Sequence, residues 1–139
     1  MVDASVAAKW YLPPSEEHLA DEALNLLAEY GRGRIQLRVP DLFWAEIGSI
    51  LWKALRLNRI SNQTATEALL ALEQQSLMTG SCRPLLGLAF EIAKAFHRSV
   101  YDGIYVALAV TSGCELVTAD ERLANALAAY YPVRWLGSL

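Results

Sequence analysis

Residues 99–123, SVYDGIYVALAVTSGCELVTADERL, decide the fold class. Ser99 stands three positions before Asp102, the spacing of a capping box with Asp in place of the usual Glu or Gln, so a helix starts here. Gly103–Ser112 then carries apolar residues on nearly every side, a pattern that only a helix surrounded by protein can keep. Gly113 ends that helix and Glu115–Thr118 reads as a short strand. Thr118 to Glu121 repeats the capping spacing ahead of another helix, to about Tyr130. Helix, strand and helix in succession describe a chain that crosses repeatedly over a parallel sheet.

Outward from this stretch the alternation continues. Met1–Asp3 is the stub of a strand, followed by a helical piece from Ser5 to Leu12 that Pro13 and Pro14 stop. Ser15 is placed to cap a helix through about Tyr30, with Leu19, Ala23, Leu26 and Leu27 on one face and Gly31 closing it. Ile35–Pro40 alternates as a strand does, and Asp41 is a candidate cap for a helix to about Leu57. Ser61 opens a helix ending near Leu77, Thr79 and Gly80 make a turn, and a further helix runs from about Pro84 to His97. Val133–Leu136 is a last strand. The expected fold is α/β, a small central parallel sheet sandwiched between helices, with 1–139 forming a single domain of ordinary size.

Composition narrows the function classes. Apolar residues at 54% and charged residues at 19% exclude a disordered chain, and this apolar excess suggests surface covered by a partner. Cys82 and Cys114 are too few for a disulfide scaffold or a zinc site and read as free thiols of a reducing cytosol. The longest uncharged run, Gly103–Cys114, falls well short of the ~20 residues that span a bilayer. No Gly-rich phosphate loop is present. A net charge of −3 argues against coating nucleic acid by phosphate neutralisation alone. The charges are nonetheless uneven: residues 16–29 are acidic, and residues 31–60 hold most of the arginines.

Four carboxylates sit where solvation is expected to be incomplete. Asp3 and Asp120 each follow a strand at its carboxyl end, the edge at which open parallel sheets bind ligands. Although far apart in sequence, they can be neighbours in a globule of roughly 14 Å radius. Glu46 has Leu42, Phe43 and Ile50 among its helical neighbours, so its charge must be paired, protonated or metal-bound. Asp102 opens the most apolar helix, where it also serves the helix dipole. Gathered in one crevice, such carboxylates would repel by about 4 kcal/mol per close pair at an effective dielectric of 20. An all-oxygen set relieves this by taking a hard ion, Mg²⁺ or Mn²⁺, and the chemistry then available is phosphodiester hydrolysis. Ser5 and Thr118 are candidates to orient a carboxylate, and His18 and His97 read as structural.

These residues also carry a resemblance. The opening from Val2 to Ser5 with Lys9–Pro13, then Pro40–Ile47, Ser99–Ala109 and Leu116–Leu123, resembles the PIN-domain proteins, in particular the VapC-type toxins of toxin–antitoxin pairs. The similarity spans essentially the whole chain, in family order. It implies a three-layer α/β/α fold and a metal-dependent ribonuclease, with Asp3, Glu46, Asp102 and Asp120 as the catalytic and Mg²⁺- or Mn²⁺-binding quartet. It further implies a cytoplasmic homodimer silenced by an antitoxin protein. Lys9, Arg98 and Arg122 are candidates to meet RNA phosphate. Only Met1 and Val2 precede Asp3, where relatives carry a longer first strand, so a short strand or a trimmed start is expected. The asparagine expected a few residues after Glu46 is absent. A second reading, a catalytically silent PIN-like module that binds an antitoxin or RNA, stays open at this point.

Overall fold

Helices and short strands alternate along the chain in the computed structural model, which describes all residues from Met1 to Leu139. Strands β1 (Arg38–Pro40) and β2 (Met78–Gly80) pair in parallel, with Val39 opposite Thr79. Strands β3 (Leu116–Thr118) and β4 (Val133–Trp135) do the same, with Val117 opposite Arg134. The N-terminal stub joins the two pairs. Val2 forms a parallel bridge with Val117, and its N–H donates to the Arg38 carbonyl at 3.2 Å on the other side. The resulting order is β4, β3, residues 1–3, β1, β2, a small parallel sheet with helices packed on it. The fold is α/β, as the sequence pattern implies.

The helices follow from caps and apolar stripes. Asp3 caps α1 (Ala4–Ala7), Ser61 caps α4 (Asn62–Glu73), and Asp120 caps α7 (Glu121–Leu127). The capping box of Ser99 and Asp102 opens α6 (Val100–Thr111), whose residues Gly103 to Ala109 are all buried. Helix α5 (Leu86–Phe96) lies tightly across α6: a Cβ at Gly103 would fall 2.3 Å from the Ala89 carbonyl oxygen, so only glycine permits the approach. That contact fixes the start of α6, and with it Asp102. Helix α3 (Leu42–Arg56) buries Phe43, Ile47 and Leu51, which leaves Glu46 on the edge of its apolar face.

Several expectations are corrected. Thr79 and Gly80 are not a free turn but belong to β2. Gly80 is backed by Leu108, whose side chain would lie 2.8 Å from any Cβ there. The helix expected from Ser15 begins only at Ala20, as α2 (Ala20–Gly31). Pro14–Glu16 is a short 3₁₀ turn, Glu17 is extended, and Leu19 adopts a left-handed φ of 62°. The cause is tertiary: Glu16 and Glu17 reach Arg59, and Glu17 also holds Lys9, which draws the segment out of helix. The Ser5–Leu12 piece is α1 followed by a 3₁₀ turn over Ala8–Trp10. Asp41 stands at the N-cap of α3 as expected, but its carboxylate accepts the Cys82 N–H at 3.2 Å and no helix N–H. Thr118 is likewise not the cap of α7; Asp120 is.

Candidate active site

Each candidate carboxylate is aimed by the start of an element. Asp3 ends the N-terminal stub. Its Oδ1 accepts the N–H groups of Ser5 at 2.7 Å and Val6 at 3.2 Å, together with the Ser5 hydroxyl. The same Ser5 oxygen accepts the Ala119 N–H at 3.1 Å, which ties Asp3 to the connection between β3 and α7. In that connection Asp120 accepts the Leu123 N–H at 3.0 Å, and its own N–H donates to the fully buried Thr118 hydroxyl at 3.0 Å. Asp102 holds the Ser99 N–H at 3.2 Å through Oδ2. Glu46 is met by no arginine. Tyr105, one turn after Asp102 on α6, donates its hydroxyl to Glu46 Oε2 at 2.6 Å.

The four elements converge on one cavity of about 540 Å³. Asp3, Glu46, Asp102 and Asp120 all line it, with Ser5, Ser49, Tyr101 and Tyr105 and an apolar wall that includes Leu42, Ile50 and Leu123. No lysine, arginine or histidine is in the lining. Solvation is uneven across the four. Asp3 is buried, Glu46 and Asp102 are half-buried, and Asp120 lies exposed on the rim, contrary to the expectation that all four are withdrawn from water. Burial pushes the Asp3 carboxyl above its ordinary range, while hydrogen bonds from Ser5, Thr118 and Val6 pull it back. Burial also raises the Glu46 carboxyl. The Tyr105 hydroxyl opposes the rise, and the charges of Asp3 and Asp102 add to it. Tyr105 in turn is raised by burial and then by Glu46, so its hydroxyl remains a donor.

The chemistry of this donor set suits a hard divalent cation. Glu46, Asp102 and Asp120 each give one oxygen to a hydrogen bond within the chain, and the other oxygen of each accepts none. No three Asp, Glu, His or Cys side chains stand close enough to form a ready ligand shell. A small ion that keeps several waters and touches one or two carboxylates directly needs no such shell. What the crevice offers is uncompensated negative charge of the right atom type, and the residues present fit a hydrated ion.

The remaining candidates lie elsewhere. Lys9 is not at the crevice; its ammonium pairs with Glu17 at 3.0 Å. Arg98 donates to the Arg122 carbonyl at 2.9 Å, and neither side chain is in the crevice lining. His18 and His97 are exposed and also outside it. Sequence reasoning passed over Tyr105. The signal was the one phenol within the buried apolar stretch Gly103–Ala109, since a buried tyrosine hydroxyl requires a partner.

The PIN domain family model matches residues 1–127. Ribonuclease VapC3 of Pyrobaculum aerophilum is 32% identical over 127 residues, covering 90% of this chain and 92% of that protein. Ribonuclease VapC9 of Mycobacterium tuberculosis is 33% identical over 120 residues, covering 82% of this chain and 92% of that protein. The crystal structure of PAE2754 from Pyrobaculum aerophilum superposes with a TM-score of 0.69 at 25% identity, over 99% of this chain and 83% of that one.

Proposed function

The chain belongs to the PIN domain family, and from that premise we propose that it is a ribonuclease of the VapC type whose catalytic crevice is built by Asp3, Glu46, Asp102 and Asp120. The observation that carries this reading is the convergence of four carboxylates, from four separate segments, on one cavity without a basic side chain. Ribonucleases of this family generally need a divalent metal, and Mg²⁺ or Mn²⁺ is the ion that all-oxygen donors favour. When bound, such an ion makes a water nucleophilic near neutral pH and offsets the charge that grows on the phosphate.

The chain's own residues do the rest. Tyr105 holds Glu46 by one oxygen and leaves the other without a partner in the chain. Ser5 and Thr118 hold Asp3 and the Asp120 loop in mutual register as supporting residues. No side chain in the lining is a credible proton acceptor other than the carboxylates, so no histidine enters the reaction.

An antitoxin protein that silences the activity is the partner the VapC kinship implies. A second copy of the chain is the other. Exposed Trp52, Leu70, Leu86 and Phe90 leave apolar surface for such partners to cover. Residues 1–139 act as one domain, supported by a core that runs from Met1 to Leu136. No helix is long and apolar enough to cross a membrane; the VapC kinship is what supports a cytoplasmic site of action.

The test is cleavage of a mixed RNA pool by purified protein with Mg²⁺, with Mn²⁺ and with EDTA, beside Asp102→Asn. Asparagine keeps an oxygen for the Ser99 N–H, so the capping box survives the change. Cutting that requires metal and falls by more than about a hundredfold in the variant is expected, because loss of a ligand exceeds the 10–100-fold typical of its supporting partners. Cutting by Asp102→Asn at the wild-type rate would remove the assignment.

A further inference from the structure

The crevice poses a problem for its own substrate. Its lining is acidic and holds no basic side chain, and the whole chain carries −3, so an RNA strand gains little from the lining's own charges as it approaches. Part of the affinity must come from contacts that do not depend on phosphate. Single-stranded RNA offers one such contact, the face of an unstacked base.

One side chain in the lining is built for that contact. Tyr101 borders the crevice beside Asp102, yet 63% of it is open to solvent. The other ring in the lining, Tyr105, is 4% exposed and has its hydroxyl engaged by Glu46. Exposed aromatics elsewhere lie outside the crevice: Tyr130 leans on Phe96 with centroids 5.2 Å apart, and Phe90 lies under the Lys94 ammonium at 6.0 Å. Tyr101 belongs to no aromatic pair within the chain.

Its backbone is also fixed. The residue sits in the first turn of α6, inside the Ser99–Asp102 capping box and two positions before the glycine that locks α6 against α5. An exposed ring on a rigid turn, with an apolar wall of Leu42, Ile50 and Leu123 in the same cavity, presents a flat surface at little ordering cost.

We propose that Tyr101 is a substrate-binding residue on which one RNA base stacks, next to the phosphate that the carboxylates address. This rests on the ribonuclease reading and adds to it a requirement for an unpaired base at a fixed distance from the cut. Stacking needs the ring and not the hydroxyl, and it acts on binding rather than on the chemical step.

The experiment measures binding of a short single-stranded RNA by fluorescence anisotropy in the cleavage-silenced Asp102→Asn background, and kinetics in the otherwise unaltered chain. Tyr101→Ala is expected to weaken binding about five- to hundredfold, the range for one stacked base. It should raise KM with kcat nearly unchanged, and Tyr101→Phe should restore both. A scan of single abasic nucleotides through the RNA should find one position at which Tyr101 and its alanine variant bind equally. Equal binding by Tyr101→Ala and the parent on intact RNA would overturn the proposal. So would a loss that Tyr101→Phe shares, or one that persists at every abasic position. Absence of RNA binding and of RNA cleavage by the parent chain would overturn the ribonuclease reading along with it. RNA binding that is indifferent to Tyr101 would leave that reading intact.

Discussion

Two clefts meet at Ser5, Ile50 and Asp120, and they treat charge in opposite ways. The second, of about 460 Å³, is lined by Lys9, Lys53 and Arg59 with Glu17 among them. There Glu17 binds Lys9 at 3.0 Å and Arg59 at 2.6 Å, and its carboxyl sits below the ordinary range: burial raises it, but the two cations more than compensate. The first cleft holds four carboxylates and no cation, and burial raises Asp3 and Glu46. A chain able to neutralise acids with its own cationic side chains does so in one cleft and withholds them from its neighbour. Charge left unpaired in the folded protein is affinity reserved for an ion from solution.

The largest expected effect after loss of a carboxylate itself is at Tyr105. Tyr105→Phe removes the only hydrogen bond that holds Glu46 and should weaken metal affinity or cleavage by about 10–100-fold, as loss of a ligand's supporting partner does. Metal titration of folded Tyr105→Phe that matches the parent would mean that Glu46 needs no such guide.

A smaller effect differs in sign between the clefts and is measured on metal-free protein by chemical unfolding. Glu17→Gln should lower stability at pH 7, by about 1 kcal/mol given the solvent screening of such pairs. Because its folded carboxyl lies below its ordinary 4.5, the parent's advantage is present above that pH and is lost as pH falls through the folded value. Glu46→Gln should instead raise stability. Its folded carboxyl lies above 4.5, so the parent is at no disadvantage below that pH. The variant's gain grows as pH rises through the folded value. The same sign from both variants would erase the distinction between the clefts.

The parts of the site that were legible in sequence are those set by local rules. Ser99 and Asp102 are three residues apart and form the box their spacing implies. Glu46 stood out as a charge on an apolar stripe, and Asp3 and Asp120 as acids at strand ends. What stayed hidden depends on partners far along the chain. The hydroxyl of Tyr105 answers Glu46 across 59 positions, and Glu17 is held by Arg59 across 42. The second of these delays helix α2 by a turn that no local pattern signals. Strand β2 was hidden differently: its Thr79 and Gly80 have turn chemistry, and only pairing with β1 and packing on Leu108 make them extended.

The central claim is that the cation-free crevice binds a divalent ion through its carboxylates. Calorimetric titration of Mn²⁺ and Mg²⁺ into the metal-free chain, beside Asp102→Asn and Glu17→Gln, tests it most directly. Saturable binding by the parent, unchanged binding by Glu17→Gln, and binding at least about tenfold weaker by Asp102→Asn are expected. No binding by the parent, or equal binding by Asp102→Asn, would contradict it.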